Sequence, residues 1–79
     1  MRTVNTEKSV YEIDETKKLI RRREGLSLPT PRQGNDGEWK EYICISVSPA
    51  YMIIQWGWNN NGTARCTITS RVVFDTYDL

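Results

Sequence analysis

Residues 38–58, EWKEYICISVSPAYMIIQWGW, constrain this chain more than any other stretch. They hold all three tryptophans and two of the four tyrosines, set in two alternating runs. In the first run Trp39, Glu41, Ile43, Ile45 and Val47 fall on one face, and Glu38, Lys40, Tyr42, Cys44 and Ser46 on the other. A period of two with one mostly apolar set marks a half-buried strand. Ser48-Pro49-Ala50 interrupts it, and proline has no amide to give to a ladder, so a turn is predicted there. The second run puts Met52, Ile54, Trp56 and Trp58 on one face and Tyr51, Ile53, Gln55 and Gly57 on the other. Apolar residues on both faces predict a central position or partial cover on the second face. Asn59-Asn60-Asn61-Gly62 ends the hairpin, since Asn and Gly tolerate positive φ.

The flanking chain reads as shorter strands. Residues 1–8 are polar and read as a loose lead-in, with Val4 as a possible edge anchor. Residues 9–14 form a strand with Tyr11 and Ile13 on one face, and a turn follows at residues 14–16. Residues 16–23 return as a strand; a helical turn is the alternative, since Lys, Leu, Ile and Arg all allow helix. Residues 25–37, with two prolines and three glycines, read as a surface loop. In residues 63–74, Ala64, Cys66 and Ile68 share a face read as buried, and Ser70-Arg71 suggests a bulge or bend. Residues 75–79 read as a short acidic tail. The sum predicts one all-β domain over residues 1–79, an antiparallel meander of about five strands, as a curled sheet or a small open barrel.

Charge and cysteine usage narrow the function classes. The formal net charge of +1 argues against a strong global polyanion binder, although residues 1–34 carry eight basic and five acidic groups against three and five in residues 35–79. No leader or membrane-length apolar run is read, so a cytosolic protein is expected. Strand alternation puts Cys44 and Cys66 on opposite faces of a sheet, where they cannot bridge. With no histidine in the chain, a zinc site is not expected, and no cofactor is called for.

The absence of histidine also removes the commonest general base, so a non-enzyme is expected. Glu38 and Glu41 alternate to opposite faces, and no glycine spacing matches a phosphate loop. Two binding constellations remain. Lys17, Lys18, Arg21, Arg22 and Arg23 form a basic run that could track a single-stranded nucleic acid. Glu7, Glu12, Glu15 and Glu24 flank that run, and a charge-paired edge strand is the alternative reading. Trp39 and Trp56 are expected in the core. Trp58 either packs with them or emerges at the strand end as a contact for a partner. Arg32 and Gln33 in the Pro/Gly-rich loop, with Trp58 and Asn60, are therefore the candidate protein-binding residues.

Three segments also carry a resemblance. They are SVYEID (residues 9–14) with Arg21-Arg22, PTPRQGNDGEWKEY (residues 29–42) and TITSRV (residues 67–72), of which PRQG-DGEW is the distinctive part. Together they resemble small accessory proteins of actinobacterial phages, mycobacteriophages among them, over most of the chain except residues 75–79. The resemblance transfers no catalytic or binding residue. It implies life in the cytoplasm of an infected bacterium. The expected function is thus non-enzymatic binding of a host or phage protein, with single-stranded nucleic-acid binding or a structural homo-oligomer as alternatives.

Overall fold

Eight antiparallel strands and no helix make up residues 1–25 and 37–77, which the computed structural model describes. The strands are β1 Arg2–Thr6, β2 Ser9–Asp14, β3 Leu19–Gly25, β4 Lys40–Glu41, β5 Cys44–Val47, β6 Met52–Trp58, β7 Ala64–Ile68 and β8 Val72–Tyr77. They form a five-stranded sheet in the order β4-β3-β2-β1-β8 and a three-stranded sheet in the order β5-β6-β7. The all-β expectation holds, without a closed barrel. The single meander of about five strands is corrected to two meanders, because β8 leaves the small sheet and returns to pair with β1.

The chain changes sheets at two places, each marked by consecutive backbone hydrogen bonds. The Tyr42 amide donates to the Lys18 carbonyl at 3.1 Å, on the large sheet. The next amide, of Ile43, donates to the Gln55 carbonyl at 2.8 Å, on the small sheet. One residue of the alternation is consumed there. Tyr42 turns inward and is buried, while Ile43 is exposed. The continuous strand expected over residues 39–47 is therefore two strands in different sheets. The return occurs at the bend expected at Ser70. Thr69 still donates to the Met52 carbonyl, whereas Arg71 already accepts from the Glu7 amide.

Two expected coils are strands. The lead-in is β1, a central strand with Val4 fully buried, and the acidic tail is largely β8. Polar side chains hid both. Arg2 pairs with Tyr77 and Val4 with Asp75, so Arg2 and Asp75 are diagonal neighbours on one face of the β1–β8 ladder and satisfy one another; a charged pair thus occupies positions that a hydrophobicity pattern would fill with apolar residues. Residues 16–23 do return as a strand, from Leu19 onward. The turn lies at residues 15–18 rather than 14–16, with Asp14 Oδ1 accepting from the amides of Thr16 and Lys17. Lys18 closes it at φ 58°.

The two sheets share one core. Val4, Tyr11, Ile13 and Ile20 from the large sheet and Tyr42 from the crossing meet Met52 and Ile54 from the small sheet. Ile45, Val47, Trp56 and Val72 pack around them. Trp56, expected in the core, is partly buried and packs against it. Trp39 does not: its side chain is 36% exposed and lies under the Arg21 guanidinium at 4.5 Å.

With so few side chains in the centre, each carries a large share of a stability that is only about 5–15 kcal/mol for domains generally. Ile54→Ala is expected to cost about 2–4 kcal/mol. Urea titration should show both sheets melting in one transition; separate transitions for tryptophan fluorescence and far-UV dichroism would show that the sheets do not share a core.

Candidate functional site

The basic run is divided by the alternation that builds β3. Ile20 and Arg22 face the core, and Arg22 is 4% exposed with its Nη1 3.5 Å from Ser9 Oγ. Arg21 faces the other way. Its Nε and Nη2 both reach Glu12 Oε1 at 2.7 Å, and its guanidinium stacks on Trp39. Lys17 and Lys18 sit in the exposed turn, with Lys18 Nζ 3.4 Å from the Ile43 carbonyl and over the Tyr42 ring. Arg23 is exposed on β3. The five cations named from the sequence are therefore distributed over a turn, two sheet faces and the core. Among the described residues they do not line one continuous track.

A second charged cluster surrounds Arg2 on the inner face of the large sheet. Its Nε and Nη2 hold the Asp75 carboxylate in a fork, at 2.8 and 2.7 Å, and its Nη1 reaches Glu15 at 3.2 Å. The guanidinium also lies 5.1 Å from the Tyr77 ring centroid. The Arg2 hydrogen bond holds the Asp75 carboxyl below its ordinary range, against the opposing effect of burial, and the same contact raises Arg2. This is a clamp that fastens β8 to β1 and to the β2–β3 turn. It leaves the Arg2 charge compensated.

The small sheet presents a different surface. Paired residues in antiparallel strands share a face, and the register sets out the rows. Ser46, Ile53 and Ile68 form one row of the outer face; Cys44, Gln55 and Cys66 form the next; Trp58 and Ala64 pair beyond a bulge at Trp56. The face assignment of β7 is thus the reverse of that expected. Ala64, Cys66 and Ile68 lie outward, and inward-facing Thr67 accepts a 2.8 Å hydrogen bond from Trp56 Nε1. The bulge on β6 and the charge-poor β7 sequence concealed this.

Cys44 and Cys66 consequently share a face and flank Gln55. They are unbridged because two strand spacings, about 9.5 Å, separate them. The Cys44 thiol donates to Gln55 Oε1 at 3.1 Å, and Gln55 Nε2 is buried without an acceptor.

Trp58 is 63% exposed and Ile68 65% exposed, the two most exposed large apolar side chains on this sheet. Of the four candidate contact residues, Trp58 thus stands at the surface. Asn60 is exposed at the tip of the β6–β7 turn, which Gly62 closes at φ 86°. Arg32 and Gln33, with residues 26–36 of the expected loop, lie outside the described residues. Ile68 was missed as a surface residue. Charge distribution carries the signal that would have found it: residues 42–74 contain no carboxylate, and Arg65 and Arg71 are their only charged side chains.

An open groove of about 350 Å³ lies where Val47, Ser48 and Pro49 meet Val72, Val73 and Asp75. Among the described residues its one charged group is Asp75, which is committed to Arg2. With this geometry in place, comparison with known proteins adds no assignment. No family model, no curated protein and no solved structure matches the chain.

The clamp has a pH signature. Asp75 has a lower carboxyl pKa in the folded chain than in the unfolded one, so unfolded chains bind more protons in between. The contribution is present above the ordinary carboxyl value of 3.8 and disappears as pH falls below it. Asp75→Asn should lower stability by about 1 kcal/mol at neutral pH. The gap to wild type should close under acid in chemical-denaturation curves; a gap unchanged at pH 2 would remove the ion pair as its cause.

Proposed function

We propose that this chain is a non-enzymatic protein-binding module whose contact surface is the outer face of the small sheet, with Trp58 as its anchor. One observation carries the reading: a run of 33 residues, 42–74, without a carboxylate folds into a sheet that leaves Trp58 and Ile68 standing out of its surface. Domain surfaces normally carry abundant mixed charge. Protein interfaces are depleted of charge in their centre and enriched in aromatic residues. A tryptophan at 63% exposure, paired with Ala64 on the face that also carries Ile53 and Ile68 beyond the Gln55–Cys66 row, supplies the large, rigid apolar contact that tends to dominate binding energy. Asn60, at the end of the same hairpin, would lie at the polar rim.

The resemblance to accessory proteins of actinobacterial phages directs the search for a partner to a host or phage protein in the bacterial cytoplasm. The test is affinity capture from actinobacterial lysate, treated with nuclease, by wild type and by Trp58→Ala. A partner retained by wild type and lost at least tenfold by Trp58→Ala supports the reading. Capture that is indifferent to Trp58 rejects this face, and capture abolished by nuclease moves the function to nucleic acid.

A further inference from the structure

The β6–β7 turn holds the reactants of a covalent change. We propose that Asn61 is a modification site that acts on itself. The Gly62 nitrogen closes on the Asn61 side chain, ammonia leaves, and a carboxylate replaces the carboxamide at the tip of the Trp58 hairpin.

The first argument is the neighbour that each asparagine has. Ring closure needs the next residue's backbone nitrogen to reach the side-chain Cγ, and a side chain on that next residue crowds the approach. Asn5, Asn35, Asn59 and Asn60 are followed by Thr6, Asp36, Asn60 and Asn61. Asn5 is also held in β1 between Val10 and Phe74. Asn61 alone is followed by glycine, and both residues are exposed. A Cβ placed on Gly62 would meet nothing within 4 Å, so the space around its backbone is open.

The second argument is the state of the Asn61 amide. Its Oδ1 accepts from the Thr63 backbone amide at 3.1 Å and from the Thr63 hydroxyl at 2.7 Å. A backbone N–H only donates, so the atom facing it is the oxygen. The hydroxyl in turn accepts from Asn59 Nδ2 at 2.9 Å, and a chain of this kind polarises its members. Two donors therefore sit where negative charge develops when Cγ is attacked, the arrangement that stabilises an oxyanion. The leaving nitrogen, Asn61 Nδ2, has no hydrogen-bond partner among the described residues.

One contact opposes the step. The Gly62 amide donates to the Asn59 carbonyl at 3.0 Å and must release it before attacking. The turn stays closed meanwhile through the 2.7 Å bond from the Asn59 amide to the Thr63 carbonyl.

The reaction balances with water alone. Solvent base takes the Gly62 amide proton, and the nitrogen bonds to Cγ. The Cγ–Nδ2 bond breaks, and the departing nitrogen takes a proton from water and leaves as ammonia. Water then opens the succinimide. Opening at one carbonyl gives aspartate at position 61; opening at the other gives isoaspartate, with the main chain routed through Cβ. The net change is amide plus water to carboxylate plus ammonium.

The consequence for binding rests on reading this face as a contact surface. Residues 42–74 carry Arg65 and Arg71 and no carboxylate. The new carboxylate is the first in that stretch, three residues beyond Trp58. A face whose formal charges are both positive suits a neutral or acidic partner, and an added negative charge opposes that match.

The test incubates the full chain at neutral pH in water enriched in heavy oxygen, followed by peptide mapping. Asn61 should lose its amide nitrogen and gain heavy oxygen with time, while Asn59 and Asn60 keep their amides. Thr63→Val should slow the change about tenfold and Thr63→Ser should restore it, with the far-UV spectrum unaltered. In urea, where the contact is gone, all three chains should react alike. Folded Thr63→Val reacting at the wild-type rate, or equal loss at Asn60, overturns the site. In the affinity capture, Asn61→Asp should weaken Trp58-dependent binding about two- to fivefold; equal capture overturns the effect on binding. Failure to find any Trp58-dependent partner rejects the contact surface and leaves the mapping result standing.

Discussion

Two sheets of this chain depend on one small shared core. Ile13 and Ile20 of the large sheet and Met52 and Ile54 of the small sheet are fully buried, with Val4 beside them. Sheets of five and three strands need a second layer to cover an apolar face, and here each is the other's cover. The domain is small enough that little else can be buried. The remaining features follow from how the chain passes between the two layers with so little apolar material.

It does so by changing sheet within a single residue at Tyr42–Ile43 and again around Ser70. At the first crossing a buried tyrosine shifts the phase of the alternation, so that Ile45 and Val47 still face the core although Ile43 does not. At the second, the chain returns to the edge of the large sheet and is fastened there by Arg2 and Asp75. The fork between them is a polar substitute for apolar packing at the far end of the β1–β8 ladder. It gives β8 an acid-labile attachment, while the core proper contains no carboxylate among the described residues.

The division of labour between the sheets is also a division of charge. The large sheet carries paired and stacked ions, with Arg21 on Glu12 and Trp39, and Arg2 on Asp75 and Glu15. Of the basic run, those contacts engage Arg21, while Lys17 and Arg23 stay exposed. The small sheet has Arg65 as its only charged strand residue, and the guanidinium of Arg65 is laid against Gly57. Its outer face is therefore neutral and partly apolar.

Local alternation was enough to identify the strands that carry Ile13, Ile54 and Trp56, the central place of β6, and the turns at Pro49 and Asn59–Gly62. Absence of histidine and the separation of the charges were likewise legible, because composition does not depend on folding. Alternation could not reveal β1 or β8, since their inward positions hold Arg2 and Asp75, whose suitability exists only as a pair distant in sequence. Nor could it show that Arg22 points into the core, that Ile68 points out of it, or that Cys44 and Cys66 share a face. A period of two assigns residues to two faces but does not say which is buried. That choice is made by the crossing at Tyr42, the bulge at Trp56 and the second sheet, and these are products of tertiary packing.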